Sequence, residues 1–195
     1  MIFTLGHSNH TWQSFAALVH RVGIERIIDV RSAPVSRYSP HFNRESIEPA
    51  LKEIGCSYCF MGLELGGRPS NADLFTNGVA DYALMASTDK FTQAIDRVID
   101  MSRSAPTALM CAEKDPMDCH RCLLVGRQLD RRGERVCHVL YDGTIETQQD
   151  VEKRILKAAG LDADDLFRSH DERVDQAYAL ENRRVGFALA PAPTP

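Results

Sequence analysis

Short apolar runs alternate with amphipathic helical segments along most of this 195-residue chain, and this alternation restricts the folds available to it. Residues 27–30, within the segment 24–30, and residues 107–110 are nearly continuous in apolar side chains, which is typical of strands covered on both faces. Strands that alternate with helices form a mostly parallel sheet, because each crossover brings the next strand back alongside. We therefore predict an α/β fold with a mostly parallel central sheet and helices on both faces.

The elements are predicted in a regular order. The predicted strands span residues 2–5, 24–30, 56–61, 107–111 and 135–140, and the predicted helices span 12–22, 45–54, 79–101, 119–129, 149–159 and 171–182, with a helical turn at 163–167. Asp118 is the predicted N-cap of the helix that begins at residue 119, and 135–140 is predicted to be the last strand.

The chain is predicted to form one main domain with an appendage. Residues 1–146 form the α/β domain in this prediction, and 147–187 form a C-terminal helical extension packed on the same domain. Residues 188–195 are rich in alanine and proline and are predicted to be a disordered tail.

Charge and apolar content restrict the partners. A formal net charge of -4 argues against extended nucleic-acid binding, although it leaves room for a local basic pocket. No apolar run is long enough to span a bilayer, so no membrane partner is predicted. The N-terminus lacks the basic and apolar segments of a signal peptide. The six cysteines are therefore expected to be reduced thiols in a cytoplasmic protein.

Polar residues follow four of the predicted strands, and the carboxyl ends of parallel strands meet at one rim of a sheet. Ligands of open α/β sheets bind in the crevice beyond these ends. We therefore predict one site that combines residues distant in the sequence. The predicted substrate-binding residues are His7, Ser8, Asp29, Arg31, Arg37, Arg68, Cys111 and Arg121.

The four arginines of this set indicate an anionic ligand, because each guanidinium presents paired donors to a phosphate or carboxylate. Loop arginines are also often solvated surface charges, so no single one is decisive. Asp29 either contacts the ligand or holds its own loop through backbone hydrogen bonds. His7 follows a glycine, where a histidine is more often a hydrogen-bonded turn residue than a ligand contact.

Three residues are predicted to be catalytic: Glu113, Cys119 and His120. A thiol in the first turn of a helix, beside His120 and Arg121, has three reasons for a lowered pKa and for nucleophilic reactivity. Glu113 is a candidate general acid or base if burial raises its pKa, and a salt bridge to an arginine is the alternative. Cys111 is the other candidate nucleophile, unless it lies inertly inside the sheet.

Two Cys-x-x-Cys pairs, at 56–59 and 119–122, raise the question of a zinc site. The second cysteine of one pair lies in a predicted strand, and that of the other begins an apolar helix stripe. A site built from Cys111, Cys119 and His120 is more plausible but lacks an evident fourth ligand. We therefore predict no metal and no cofactor.

Several short motifs occur in order along the chain: Gly6-His7-Ser8, Asp29-Val30-Arg31-Ser32 with Pro34 and Ser36-Arg37, Gly66-Gly67, Cys111-Ala112-Glu113, Cys119-His120-Arg121, Ala177-Tyr178 and Val185-Gly186-Phe187. In this combination the chain resembles the DUF488 family of uncharacterised proteins, as far as about Phe187. The resemblance implies a domain of unknown function, and so it indicates a site but no reaction. Cys56, Cys59 and Cys122 lie outside the family's pattern, which further disfavours zinc at the paired cysteines.

A looser similarity in layout concerns rhodanese-type sulfurtransferases and related cysteine phosphatases. Those enzymes carry an Asp-Val-Arg strand end and a later strand that ends on a catalytic cysteine, and residues 28–31 and 109–111 look similar. Their cysteine is followed by a compact loop that holds the anion with backbone N–H groups. Here the loop is longer, contains Pro116 and lacks the closing Gly-x-Arg.

The leading hypothesis is an enzyme that acts on a small anionic, phosphate- or nucleotide-like substrate at the carboxyl-end rim of the sheet. The arginines and the helix start at Cys119 would bind the anion, and Glu113 or the Cys119 thiolate would do the chemistry. The alternatives are a non-catalytic module that binds a nucleotide or nucleic acid, and sulfur or redox transfer by Cys111 or Cys119.

Overall fold

The computed structural model of the protein describes residues 1–189, and a six-stranded sheet forms the centre of this range. The strands are β1 (Ile2–Gly6), β2 (Arg26–Asp29), β3 (Ser57–Phe60), β4 (Phe75–Thr76), β5 (Val79–Ala80), β6 (Thr107–Cys111), β7 (Val136–Val139) and β8 (Ile145–Thr147). The central sheet has the order β3-β2-β6-β1-β7-β8, and β4 and β5 form a separate hairpin. Only β8 is antiparallel to its neighbour within the central sheet of residues 1–189. The predicted α/β fold with a mostly parallel sheet is confirmed.

Helices cover both faces of this sheet. They are α1 (Trp12–Val22), α2 (Arg44–Glu53), α3 (Gly62–Leu65), α4 (Tyr82–Ala86), α5 (Asp89–Ser104), α6 (Arg127–Arg131), α7 (Gln148–Ala158) and α8 (His170–Val185). A π-helical segment, Arg121–Gly126, leads directly into α6, and a 3-10 turn, Pro116–Asp118, precedes it. Two further 3-10 turns span Pro40–Phe42 and Ala72–Leu74.

Strand side chains alternate between two apolar cores, which explains why the strand sequences are apolar almost throughout. Ile28 and Leu109 point into the core beneath α5, α6, α7 and α8. Their chain neighbours Ile27 and Ala108 point into the core beneath α1 and α2. Successive strand residues face opposite sides, so two covered faces require an apolar residue at nearly every position.

Several predictions about local structure are wrong. Residues 79–80 form the strand β5 rather than the start of the predicted helix 79–101. Residues 135–140 are not the last strand, because the chain reverses at Gly143, whose φ of 82° suits a tight turn, and returns as β8. Residues 163–167 form no helical turn. The guanidinium of Arg173 instead holds this segment by donating to the carbonyl oxygens of Leu161 and Ala163, at 3.0 and 2.6 Å.

The helix predicted at 119–129 begins at Cys119, and the prediction of Asp118 as its N-cap is wrong. Asp118 ends a 3-10 turn that is capped by Asp115, and its carboxylate pairs with Arg184. Cys119 has extended backbone angles, and its carbonyl accepts the first helical N–H groups. The thiol of Cys119 therefore occupies the capping position, where helix N-termini present unpaired N–H groups.

The C-terminal helices pack on the same core as the sheet. Helix α8 contributes Val174, Ala177 and Tyr178 to the same apolar core that contains Ile28 of β2 and Leu109 of β6. Beyond α8, Ala188 forms a bridge with Val79. The remainder of the predicted disordered tail, residues 190–195, lies outside the described residues. Within residues 1–189, no helix has the length and apolarity needed to cross a membrane.

Candidate functional site

A cleft of about 320 Å³ lies beyond the carboxyl ends of β2 and β6. From β2 the chain continues to β3 on one side of the sheet, and from β6 it crosses over to β7 on the other side. The two connecting loops therefore diverge at the boundary between β2 and β6. Such a divergence is the usual ligand position in open α/β sheets. Loops that follow β2, β3 and β6 line the cleft, together with Tyr82 of α4 and Phe187 beyond α8.

Four chemically reactive side chains meet beside this cleft, and three of them line it. The Sγ atoms of Cys111 and Cys119 lie 2.8 and 3.0 Å from the same carboxylate oxygen, Oε2 of Glu113. The Nδ1 atom of His120 lies 3.6 Å from the first sulfur and 3.9 Å from the second. Both cysteines and His120 are buried, whereas Glu113 borders the cleft and turns its carboxylate toward the thiols. We call these four residues the thiol cluster.

The backbone of β2 fixes the orientation of His120. Its Nε2 atom lies 2.9 Å from the carbonyl oxygen of Val30, which can only accept a hydrogen bond. Nε2 therefore carries a proton, and Nδ1 faces the thiols. Burial opposes protonation of the ring, but the neighbouring Cys119 and Glu113 raise the pKa of His120. Gly67 packs against the imidazole, since a Cβ at that position would lie 2.9 Å from Cγ of the ring.

Burial and mutual contact shift the pKa values within the thiol cluster. Burial alone would raise the pKa of Cys119, but the hydrogen bond from Cys111 and the charges of Arg121 and His120 hold it well below its ordinary value. Burial and the neighbouring Cys119 raise the pKa of Cys111. The same two causes raise the pKa of Glu113.

Asp29, Arg31 and His7 form an internal network beneath the cleft. The carboxylate of Asp29 accepts two hydrogen bonds from the Arg31 guanidinium, at 2.9 and 2.6 Å, and one from Tyr58. Arg31 also donates to the carbonyl oxygen of Phe42 and lies 3.1 Å from Nε2 of His7. Burial and Arg31 lower the pKa of His7 to about 4, so this imidazole is neutral. Most donors of Arg31 are therefore already used within the chain.

Arg121 is also engaged inside the protein. Its guanidinium is completely buried and donates to the carbonyl oxygens of Glu113 and Lys114, at 2.7 and 3.1 Å. Gly6 permits this arrangement, because a Cβ there would collide with the Glu113 carbonyl. Arg121 thus ties the loop after β6 to the helix start and places a positive charge behind the thiol cluster.

The remaining predicted ligand contacts divide into those at the cleft and those away from it. Arg68 is exposed, lines the cleft and stacks its guanidinium on the ring of Phe187, 5.1 Å from the ring centre. In the part of the chain that the structure describes, Ser8 and Arg37 do not line the cleft. The N–H of Ser8 instead donates to the carbonyl oxygen of Ala112, which joins the loops after β1 and β6.

Two aromatic residues of the cleft were not among the predicted site residues, and their sequence contexts explain why. Tyr82 lies in a segment whose pattern predicts only a core helix, and it reaches the cleft from α4. Phe187 belongs to one of the motifs noted above but lies far along the chain from the other cleft residues. Neither carries a local signal for ligand binding, since aromatic residues in helical segments are usually core residues.

A larger cavity, of about 610 Å³, lies elsewhere, between α4, α6 and α8. Its most prominent charges already pair with each other, since Arg127 and Arg131 both contact Asp175. Arg127 also stacks on Tyr178, at 3.9 Å from the ring centre. This cavity contains none of the reactive side chains of the thiol cluster.

Comparison with known proteins gives one match. The pattern of a family described as a domain of unknown function, DUF488, matches residues 11–127, from the cap of α1 to the start of α6. This range includes the loops after β2, β3 and β6, and therefore the whole thiol cluster. No curated protein and no solved structure matches the chain.

Proposed function

Since the chain belongs to the DUF488 family, whose description assigns no reaction, we propose from the site that it is an enzyme acting on a small anionic molecule. The observation that carries this proposal is the position of the thiol cluster. Three of its residues, Cys111, Glu113 and His120, line the cleft, and Arg68 borders the same space with an exposed guanidinium. A cleft of about 320 Å³ suits a small molecule.

Arg68 is the residue that we assign to binding the anion. Its guanidinium is exposed at the cleft and is held over Phe187, so its donors are oriented and still accessible. Arg31 and Arg121 contribute positive potential from behind, because their donors are largely engaged by backbone carbonyls and by Asp29. A phosphate- or nucleotide-like substrate suits this arrangement.

The thiol cluster is the part that we assign to the chemistry. Glu113, His120 and Cys111 border the cleft and lie within reach of a bound molecule. Cys119 is only 1% exposed, and its sulfur contacts the carboxylate of Glu113. Direct attack by Cys119 on a substrate is therefore disfavoured. Its thiol acts through Glu113 and His120 in this proposal.

The test of the binding step is Arg68→Ala against Arg37→Ala, a variant of an exposed arginine outside the cleft. We expect Arg68→Ala to weaken the binding of phosphate esters or nucleotides about 10- to 100-fold, because the anion loses a charged hydrogen-bond donor. Arg37→Ala should bind like the wild type. The measurement is isothermal titration calorimetry on hits from a panel of such compounds, and equal binding by both variants would contradict the assignment.

The test of the enzymatic step is turnover of the compounds that bind. Glu113→Gln should retain anion binding and lose most turnover, because the variant keeps its shape and loses the charge. The alternative of a non-catalytic binding module predicts tight ligands that the wild-type protein never converts. Sulfur or redox transfer predicts instead a persulfide or sulfenate on Cys111 or Cys119, detectable by mass spectrometry.

A further inference from the structure

We propose that Cys111, Glu113, Cys119 and His120 together bind one divalent metal ion of the zinc class. The proposal concerns the same thiol cluster as the enzymatic function, but metal binding requires no substrate and is tested separately. The sequence offers three of these ligands and no evident fourth, and the structure supplies the fourth as Glu113.

The donor atoms lie near the spacing of a tetrahedral site, although the two sulfur–oxygen separations are shorter. One donor atom from each residue lies within 4.8 Å of all the others. The sulfur–nitrogen separations are 3.6 and 3.9 Å, and the sulfur–oxygen separations are 2.8 and 3.0 Å. Ligand atoms around a tetrahedral zinc ion, with metal–ligand distances of 2.0–2.3 Å, lie about 3.3–3.8 Å apart. Small outward shifts of the carboxylate oxygen would therefore admit the ion.

Each buried donor is held in the orientation that a metal requires. The Nε2–H of His120 donates to the carbonyl oxygen of Val30, which leaves Nδ1 free to coordinate. A hydrogen bond from the second ring nitrogen of a histidine ligand is a regular feature of metal sites. The N–H of Arg121 donates to the Cys119 sulfur at 3.4 Å, and Cys111 is fixed at the end of β6.

Hydrogen bonding alone accounts poorly for this arrangement. Thiols are weak donors, and here two of them converge on a single carboxylate oxygen. A metal ion would use both sulfurs, the oxygen and Nδ1 as ligands. With two thiolates, one carboxylate and a neutral imidazole, a divalent ion leaves a net charge of -1, which the buried guanidinium of Arg121 compensates.

The ligand types select the class of metal. Two thiolates with one nitrogen and one oxygen suit zinc, whereas magnesium and calcium take oxygen ligands in larger number. Three ligands are buried, and Glu113 borders the cleft. Glu113 is therefore the ligand that an oxygen atom of a bound molecule could replace.

The experiment uses the full chain without an affinity tag, treated with chelator and reductant and then desalted. The protein is loaded with Zn²⁺ alone, and bound metal is measured by inductively coupled plasma mass spectrometry. We expect one ion per chain for the wild type and a loss of nearly all of it for Cys119→Ala and His120→Ala. Cys122→Ala is the matched control, because this buried cysteine lies one helical turn away and outside the thiol cluster, and should bind one ion.

Loading the wild type with Co²⁺ keeps the proposal falsifiable if a variant fails to fold. We expect a thiolate-to-cobalt charge-transfer band and strong visible absorption, the signature of a tetrahedral site with sulfur ligands. Zinc binding that is no higher in the wild type than in the folded ligand variants would overturn the proposal, as would a cobalt spectrum without the sulfur band. Metal binding without any anion binding would contradict only the proposed function, and anion binding without any metal binding would contradict only the metal site.

Discussion

At the scale of single residues, the charged side chains predicted to contact a ligand have two different roles. Arg31 and Arg121 are buried, and they join loops by donating to backbone carbonyls and to Asp29. Arg68 keeps an exposed guanidinium at the cleft. A buried guanidinium requires hydrogen-bond partners, so Arg31 and Arg121 contribute to stability. Arg68 is the residue that the proposed function assigns to binding the anion.

The buried pair of Asp29 and Arg31 gives the first stability prediction. Asp29→Asn should lower the free energy of unfolding by about 3–5 kcal/mol, because the Arg31 guanidinium stays buried without its carboxylate. Equilibrium unfolding in urea measures this change. Asp100→Asn is the control, since its pair with Arg103 is exposed, and should change stability by no more than about 0.5 kcal/mol. Equal losses for both variants would contradict the role assigned to Asp29.

At the scale of elements, the thiol cluster depends on where one helix begins and on what packs against its first turn. Cys119 caps the helix, so His120 and Arg121 follow in fixed directions. The loop after α3 brings Gly67 against the imidazole and the N–H of Arg68 to within 3.0 Å of Ser32 Oγ. Glycine is therefore needed at residue 67 for close packing against the imidazole.

Gly67→Ala tests this packing. The added Cβ would lie 2.9–3.1 Å from three atoms of His120, so the ring must move. We expect a loss of about 1–3 kcal/mol in unfolding free energy, typical of overpacking, together with a shift of the His120 ring signals in NMR spectra. Gly55→Ala is the control, because its φ of 76° strains the backbone while open space surrounds the new Cβ. It should leave the His120 signals in place, and a shift there would contradict the interpretation.

At the scale of the whole molecule, a chain of buried hydrogen bonds joins the sheet to the C-terminal helices. Thr4 of β1 contacts His138 of β7, which contacts Gln148 of α7, and Gln148 donates to Tyr178 of α8, each at 2.8 Å. The four side chains are 2% exposed or less. The C-terminal helices are therefore coupled to the sheet through polar contacts as well as through the apolar core.

His138 makes this coupling dependent on pH. Burial and the charge of Arg121 lower its pKa from 6.5 to about 3, so the unfolded chain binds the proton more tightly than the folded one. Stability should therefore fall as the pH drops from 7 toward 3, by about 2 kcal/mol between pH 7 and 5 from this residue. Urea unfolding at several pH values measures the slope. His138→Gln should be less stable at pH 7 and show a shallower slope, and an unchanged slope would refute the assignment to His138.

The sequence by itself determined the class of fold and the region of the site. Nearly continuous apolar strands and amphipathic helices are local patterns, and they were sufficient for a parallel sheet covered on both faces. The same patterns placed Cys119, His120 and Arg121 at a helix start after a buried strand. These features depend on residues close together in the chain, whose periodicity reports directly on which face is buried.

Only the tertiary structure decided which polar groups contact one another. The order of the strands brings Val30 to His120 and His7 to Arg31, and no local pattern encodes that order. As a result, Arg31 and Arg121, two predicted ligand contacts, form hydrogen bonds within the protein instead. The tertiary structure also brought Glu113 to the two thiols. Arg121, at the start of the helix, holds the loop after β6 by donating to its carbonyl oxygens, and this fixes the position of Glu113. A buried polar group must find a partner, and its partner is set by the neighbouring strands and loops rather than by its own sequence.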